Sequence, residues 1–75
     1  MIGEFKPIVD KDEMVYFDLE EVLIFIDKNG LTKIWNEYVN RNSVMAKSGI
    51  RQDGKRINRA ILITDYAKFE EQYIN

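Results

Sequence analysis

The sequence contains no cysteine and no histidine among its 75 residues. Without cysteine no disulfide can stabilise the fold, and without either residue the usual ligands of a structural zinc site are missing. The same two side chains often serve as the nucleophile and the general base of enzymes. We therefore expect a protein that is not an enzyme, that has no catalytic or metal-binding residues and that needs no cofactor.

Long apolar runs are also missing. No run approaches the roughly 18 residues of a membrane-spanning helix, and residues 1–5 lack the basic and apolar regions of a signal peptide. A soluble, cytoplasmic protein without a membrane partner is expected. A chain of 75 residues suits a single small domain, which buries only about 60% of the surface of its unfolded chain. Residues 14–75 are predicted to form its body, and residues 1–13, which show no clear period, an arm or loop.

The charges are unevenly distributed along a chain whose net charge is −2. Residues 1–30 carry three basic and eight acidic side chains, a net charge of −5, whereas residues 31–60 carry seven basic and two acidic ones, a net charge of +5. The basic side chains of this second block are Lys33, Arg41, Lys47, Arg51, Lys55, Arg56 and Arg59. Such asymmetry favours an anionic partner for one face of the molecule.

Two amphipathic helices are predicted in the first half of the chain. Asp18 is a suitable N-cap residue, and Glu21 three positions later completes a capping box. The apolar residues that follow have the spacing of one buried helical face: Leu19, Val22, Leu23 and Ile26. Asn29 or Gly30 can take the left-handed conformation that ends the helix. A second helical period begins at once, with Thr32 as a candidate cap and an apolar face at Leu31, Ile34, Trp35, Tyr38 and Val39.

Strands are predicted on either side of this helix pair. Residues 14–17 are β-prone and short enough to form one edge strand. Residues 47–59 are predicted to form a basic hairpin, because Asp53-Gly54 favours a tight two-residue turn between flanking apolar runs. Thr64-Asp65 can then cap a last short helix.

Two helices joined by a short turn containing glycine are typical of the helix-turn-helix, whose second helix lies in the DNA major groove. On the polar face of the second predicted helix, Asn36 and Asn40 suit adenine edges, and Lys33 and Arg41 suit guanine or phosphate. An exposed polar face is also the ordinary outer surface of any amphipathic helix. The helix alone leaves both interpretations open.

The basic hairpin adds weight to the first interpretation. A two-residue turn at Asp53-Gly54 would place Arg51 opposite Arg56, and like charges in that position destabilise a free sheet. An anion between them, such as a DNA phosphate, would remove the repulsion. Two alternatives remain: a mobile loop kept soluble by its charge, or bases that fold back onto the acidic residues 10–13.

The chain also resembles a known family. The segments YFDLEEV at residues 16–22 and ILITDYAKFE at residues 61–70, with the helix pair and the basic hairpin between them, resemble the small winged-helix excisionases of phages and conjugative transposons. The DNA-binding half of MerR-type regulators shares that fold. The resemblance implies an α+β winged helix-turn-helix with a short antiparallel β-hairpin and three helices. It implies groove contacts from Thr32, Lys33, Asn36, Asn40 and Arg41, and wing contacts from Arg51, Lys55, Arg56 and Arg59.

The expected partner is therefore double-stranded DNA. Lys47 at the start of the hairpin joins the expected DNA-binding residues, and copies of the protein are candidates for cooperative association on DNA. The role would be that of an excisionase-like architectural factor or a transcription regulator encoded by a phage or mobile element. The alternative is a protein-binding module that modulates a host or phage protein through its acidic residues 10–21 or through exposed aromatics. Spacing favours packing for most of the aromatics Tyr16, Trp35, Tyr38 and Tyr73.

Overall fold

The computed structural model describes residues 4–74, so the part of the predicted arm at residues 1–3 lies outside the described residues. The elements in chain order are β1 (Ile8–Val9), β2 (Val15–Asp18), α1 (Leu19–Lys28), α2 (Thr32–Asn42), β3 (Lys47–Ile50), β4 (Arg56–Leu62) and α3 (Ile63–Tyr73). Within the described residues the protein is thus a small α+β domain with three helices and a four-stranded antiparallel sheet. This confirms the predicted α+β class and the predicted number of helices.

The ends of α1 follow from local sequence. The Asp18 carboxylate accepts a hydrogen bond from the backbone N–H of Glu20 at 3.1 Å, as an N-cap does. At the other end Gly30 has a φ of 66°, and the N–H of Leu31 donates to the carbonyl of Ile26 at 2.9 Å. This is a Schellman ending, in which glycine takes the left-handed conformation without strain. Both predicted boundaries of the helix are confirmed.

The start of α2 differs from its prediction. Thr32 is the first helical residue and Leu31 precedes it as the N-cap, without a side-chain hydrogen bond. The predicted cap at Thr32 is wrong because the Schellman turn at Gly30 leads directly into the helix. The helix ends at Ser43, which takes a left-handed conformation with φ 51°. Within residues 4–74, no helix combines the length and the apolar composition needed to cross a membrane.

The strands are ordered β1-β2-β4-β3 across the sheet. The sequence predicted that residues 14–17 form an edge strand, but β2 lies inside the sheet because β1 pairs with its outer side. Ile8 and Val9, predicted to belong to an arm or loop, form that additional strand. Two residues are too short a run to show the alternation that identifies a strand in a sequence.

The sheet has apolar side chains on both faces. Phe17 pairs with Ile61 and Tyr16 pairs with Leu62, so each pair lies on the face opposite to the other. The face that carries Ile61 packs against the helices. Its main core consists of Leu19, Val22, Ile26, Trp35, Tyr38, Ile61, Tyr66 and Phe69. The other face carries a small core of Tyr16, Ile57 and Ala60, bordered by Ile8 and Leu62.

The two outer edges of the sheet meet at one end. The N–H of Lys11 donates to the carbonyl of Ile50 at 3.1 Å, and the N–H of Gln52 donates to the carbonyl of Val9 at 3.2 Å. Asp10 and Arg51 form the β-bridge between these two bonds. The sheet therefore curls around the small core, and the hairpin formed by β3 and β4 is attached to the segment that follows β1.

Candidate nucleic-acid interface

The polar face of α2 is exposed, as its sequence period predicts. Trp35 and Tyr38 point into the main core, and the expected groove contacts Thr32, Lys33, Asn36, Asn40 and Arg41 all lie at the surface. Arg41 follows Asn36 by five positions, which places the two about 140° apart around the helix. Lys33, Asn36 and Asn40 thus share the outward side, and Arg41 lies on its flank.

The turn of the hairpin differs from the prediction by one residue. The N–H of Gly54 donates to the carbonyl of Arg51 at 2.9 Å, and the N–H of Arg51 donates to the carbonyl of Lys55 at 2.7 Å. With Gly54 at φ 90°, these bonds define a three-residue loop of Gln52, Asp53 and Gly54. The predicted two-residue turn is wrong because Asp-Gly also suits this longer loop, with glycine at its left-handed position.

The longer loop changes the register of the expected wing contacts. Ile50, and not Arg51, pairs with Arg56. The predicted pairing of Arg51 with Arg56 across the hairpin is therefore wrong, because the additional loop residue moves Arg51 opposite Lys55, which carries the same charge. Any role of these side chains in anion binding must be argued from where they lie relative to the rest of the surface.

A β-bulge in β4 helps to determine that position. Lys47 pairs with Ala60 and Gly49 with Ile57, so Ser48 alone lies opposite both Asn58 and Arg59. Because of the additional residue, Ile57 and Ala60 belong to the same small core although they are three positions apart. The bulge thus changes the side-chain alternation at Arg59, next to the base of the hairpin.

Arg59 lies between two hollows of the surface. The first, which we call the α2 groove, has a volume of about 330 Å³ and lies between α1, α2 and the base of the hairpin. Its lining residues include Leu23, Asn36, Val39 and Arg59. The second, the arginine hollow, has a volume of about 340 Å³ and is lined by Ile8, Asp18, Glu20, Arg51, Arg56, Ile57, Asn58 and Arg59. Through Arg59, Asn36 on the polar face of α2 adjoins the arginines of the hairpin.

The expected wing residues are not equivalent in the structure. Lys47, Lys55, Arg56 and Arg59 are exposed, whereas Arg51 is half-buried. Arg51 also lines a smaller hollow together with Asp18 and Glu21, and its backbone forms the bridge to Asp10. Arg51 therefore lies beside acidic side chains of its own chain. Arg56 and Arg59 are more exposed than Arg51 and are therefore more accessible to an external anion.

The acidic segment before β2 has a structural role. The Asp10 carboxylate accepts hydrogen bonds from the backbone N–H groups of Asp12 and Met14, both at 2.9 Å. Its second oxygen accepts from the Tyr16 hydroxyl at 3.1 Å. Asp10 thus orders the turn that brings β1 alongside β2 and the hairpin. No group of three or more acidic side chains in residues 4–74 is arranged to hold a metal ion.

Two residues of this surface were not predicted from the sequence. Glu20 forms an ion pair with Arg59, with an Nη1 to Oε1 distance of 3.6 Å. Asn58 is exposed and lines the arginine hollow. Glu20 reaches Arg59 because Asp18 pairs with Ala60 between β2 and β4. This is a long-range pairing, and neither segment indicates by itself that the other is its neighbour.

Comparison with known proteins found no matching family model, no matching curated protein and no matching solved structure.

Proposed function

We propose that this domain binds double-stranded DNA as a winged helix-turn-helix, with α2 in the major groove and the hairpin against the phosphate backbone. The observation that carries the proposal is the position of Arg59, which lines both the α2 groove with Asn36 and the arginine hollow with Arg56. Asn36 on the polar face of α2 and the exposed arginines Arg56 and Arg59 of the hairpin therefore lie along one stretch of the surface. A duplex presents base edges and phosphates side by side in the same way.

The side chains of α2 suit the contacts that this role requires. A helix fits into the major groove of B-DNA, which is about 12 Å wide. Asn36 and Asn40 can each donate to and accept from an adenine edge, and Lys33 can donate to guanine or to phosphate. Trp35 and Tyr38, on the opposite side of α2, fix the helix on the main core. The helix is thus presented as a rigid element, as specific recognition requires.

The order of the elements agrees with the proposal. A tight turn at Gly30 joins α1 to α2, and the β3–β4 hairpin and α3 follow. The hairpin is anchored to the segment after β1, so this wing has a fixed direction. The role that the family resemblance implies, that of an excisionase-like architectural factor or a transcription regulator, remains part of the proposal.

The proposal is tested by measuring duplex binding by fluorescence anisotropy at several salt concentrations. Log K falls with log salt, and replacement of a cation that contacts a phosphate makes this negative slope shallower by about 0.9. We expect this change for Arg56→Ala. Lys68→Ala removes the same charge from the exposed side of α3 and serves as the matched control. It should leave the slope unchanged.

Two results would contradict the proposal. One is the absence of salt-sensitive duplex binding at micromolar protein. The other is an equal effect of Arg56→Ala and Lys68→Ala, because binding would then depend on net charge and not on this surface. Asn36→Ala tests α2 separately: it should weaken binding to the preferred sequence by about 1–3 kcal/mol and binding to unrelated duplexes much less.

A second candidate function is that of a protein-binding module. The aromatic version of this hypothesis loses support, because Tyr16, Trp35 and Tyr38 are buried and Tyr73 is half-buried. The observation that favours a protein-binding function concerns apolar side chains that are not aromatic. Met45 is 68% exposed and lies between Val44 and Ala46, which both line the α2 groove. A pull-down from nuclease-treated host lysate tests it. A partner retained without nucleic acid would support this function, and the loss of all partners after nuclease treatment would count against it.

A further inference from the structure

Glu20 is an acidic side chain in contact with an arginine of the proposed DNA surface. It lies in the first turn of α1, lines the arginine hollow and forms the 3.6 Å ion pair with Arg59. Both side chains are exposed, Arg59 by 59% and Glu20 by 68%. An ion pair with this exposure is weak, because water solvates both charges. The pair can therefore open without disturbing the fold.

The surroundings of the pair favour an anion at this point. Three arginines (Arg51, Arg56 and Arg59) and Asn58 line the hollow, together with two acidic residues, Asp18 and Glu20. Asp18 is held in place as the N-cap of α1. Glu20 is thus the acidic group of the hollow that can turn away and expose a guanidinium to another anion. Guanidinium groups bind phosphate oxygens with good geometry, often through two parallel hydrogen bonds.

We infer that Glu20 competes with the DNA backbone for Arg59. In the free protein the Glu20 carboxylate pairs with the Arg59 guanidinium, and in the complex a phosphodiester group takes the place of that carboxylate. This inference rests on the proposed function and assigns a new role to Glu20. The carboxylate lowers the affinity for every duplex and disfavours anions that cannot displace it. The arginine hollow then binds a phosphodiester only after the internal ion pair has opened.

The experiment compares duplex affinity for Glu20→Gln and Glu71→Gln at low salt. Glutamine keeps the shape of glutamate and removes its charge. Glu71 is exposed on α3, so its variant changes the net charge equally at a different place. We expect Glu20→Gln to bind about two- to fivefold more tightly than the unmodified protein, the range that exposed ion pairs give. Glu71→Gln should change affinity less than about 1.5-fold, because salt screens distant charges.

A double-mutant cycle with Arg59→Ala locates the effect. Once Arg59 has been removed, Glu20→Gln should no longer increase affinity more than Glu71→Gln does, because the proposed competition takes place on that guanidinium. Circular dichroism of each variant checks that the fold is retained, which is expected since all three substituted side chains are exposed.

The outcomes separate this inference from the proposed function. If the unmodified protein binds duplex in a salt-sensitive way but Glu20→Gln and Glu71→Gln behave alike, the competition is disproved and the DNA-binding function stands. The competition is also disproved if Glu20→Gln still increases duplex affinity in the Arg59→Ala background. If no variant binds duplex, the DNA-binding function fails and the inference fails with it.

Discussion

The main core and the small core differ in how they are held together. The main core joins three helices to the sheet and contains a network of aromatic rings, with Trp35 and Phe69 edge-on at a centroid distance of 4.9 Å. The small core has one aromatic residue, Tyr16, and its enclosure depends on the hydrogen bonds that join the hairpin to residues 9–11. We infer that the main core holds α2 more stably than the small core holds the hairpin. The two parts of the proposed interface should therefore respond differently to substitution.

Phe69→Ala should have the largest effect on stability. The side chain is completely buried and its ring contacts those of Trp35, Tyr38 and Tyr73. Truncation of a buried phenylalanine costs about 3–5 kcal/mol, because it removes apolar contacts and leaves a cavity. A small domain has a free energy of unfolding of about 5–15 kcal/mol. Urea denaturation should show a loss of about 3–5 kcal/mol, a large share of this stability.

Ile57→Ala provides the comparison in the small core. Its loss should be near the lower end for isoleucine, about 2 kcal/mol, because the small core has fewer neighbours to lose contact with. Ile24→Ala, at an exposed position of α1, serves as the control and should change stability by less than about 0.5 kcal/mol. If Phe69→Ala and Ile57→Ala lowered the free energy of unfolding equally, the two cores would contribute equally to stability.

Asp10→Ala should weaken the attachment of the hairpin to residues 9–11, with a smaller loss of stability than Phe69→Ala causes. The carboxylate accepts three hydrogen bonds, from the N–H groups of Asp12 and Met14 and from the Tyr16 hydroxyl. Their loss should lower the free energy of unfolding by about 1–2 kcal/mol. The matched control is Asp12→Ala, an exposed carboxylate of the same turn.

Hydrogen exchange identifies where the effect of Asp10→Ala is located. The amides of Lys11 and Gln52 bond across the junction between β1 and the hairpin and should lose protection in the variant. The amide of Trp35, which bonds to Leu31 at 2.8 Å, should keep its protection. Equal loss of protection in α2 and in the hairpin would show that the two regions unfold as one unit.

The same contrast explains which features the sequence could predict. The start of α1 at Asp18 and its end at Gly30 depend on residues within one turn, so local patterns predicted both. The hairpin was predicted at the right place, but its register was wrong because Asp53-Gly54 fits loops of two different lengths. The position of β1, the bridge between Asp10 and Arg51, and the contact of Glu20 with Arg59 depend on strand pairing between distant segments. No local pattern encodes such pairing.

One tyrosine in each core has a raised pKa, so the titration of these two tyrosines compares the two cores. Burial raises the pKa of Tyr16 above its ordinary value of 10.0, and the hydrogen bond to Asp10 and the charges of Asp10 and Asp12 raise it further. Burial also raises the pKa of Tyr38, with a contribution from Asp65. A raised pKa in the folded state means that the protonated tyrosine stabilises the fold below pH 10. This stabilisation is lost as the pH rises through the pKa of the folded state.

Asp10→Asn should separate the two tyrosines. It removes the carboxylate that opposes the ionisation of Tyr16, so the pKa of Tyr16 should fall towards its ordinary value. The pKa of Tyr38 should not change, because its hydroxyl donates to the carbonyl of Asp65 at 2.6 Å in the main core. An NMR titration of the tyrosine rings measures both. A fall in the pKa of Tyr38 as well would mean that Asp10 stabilises the whole domain and not the hairpin alone, which would remove the distinction between the two cores.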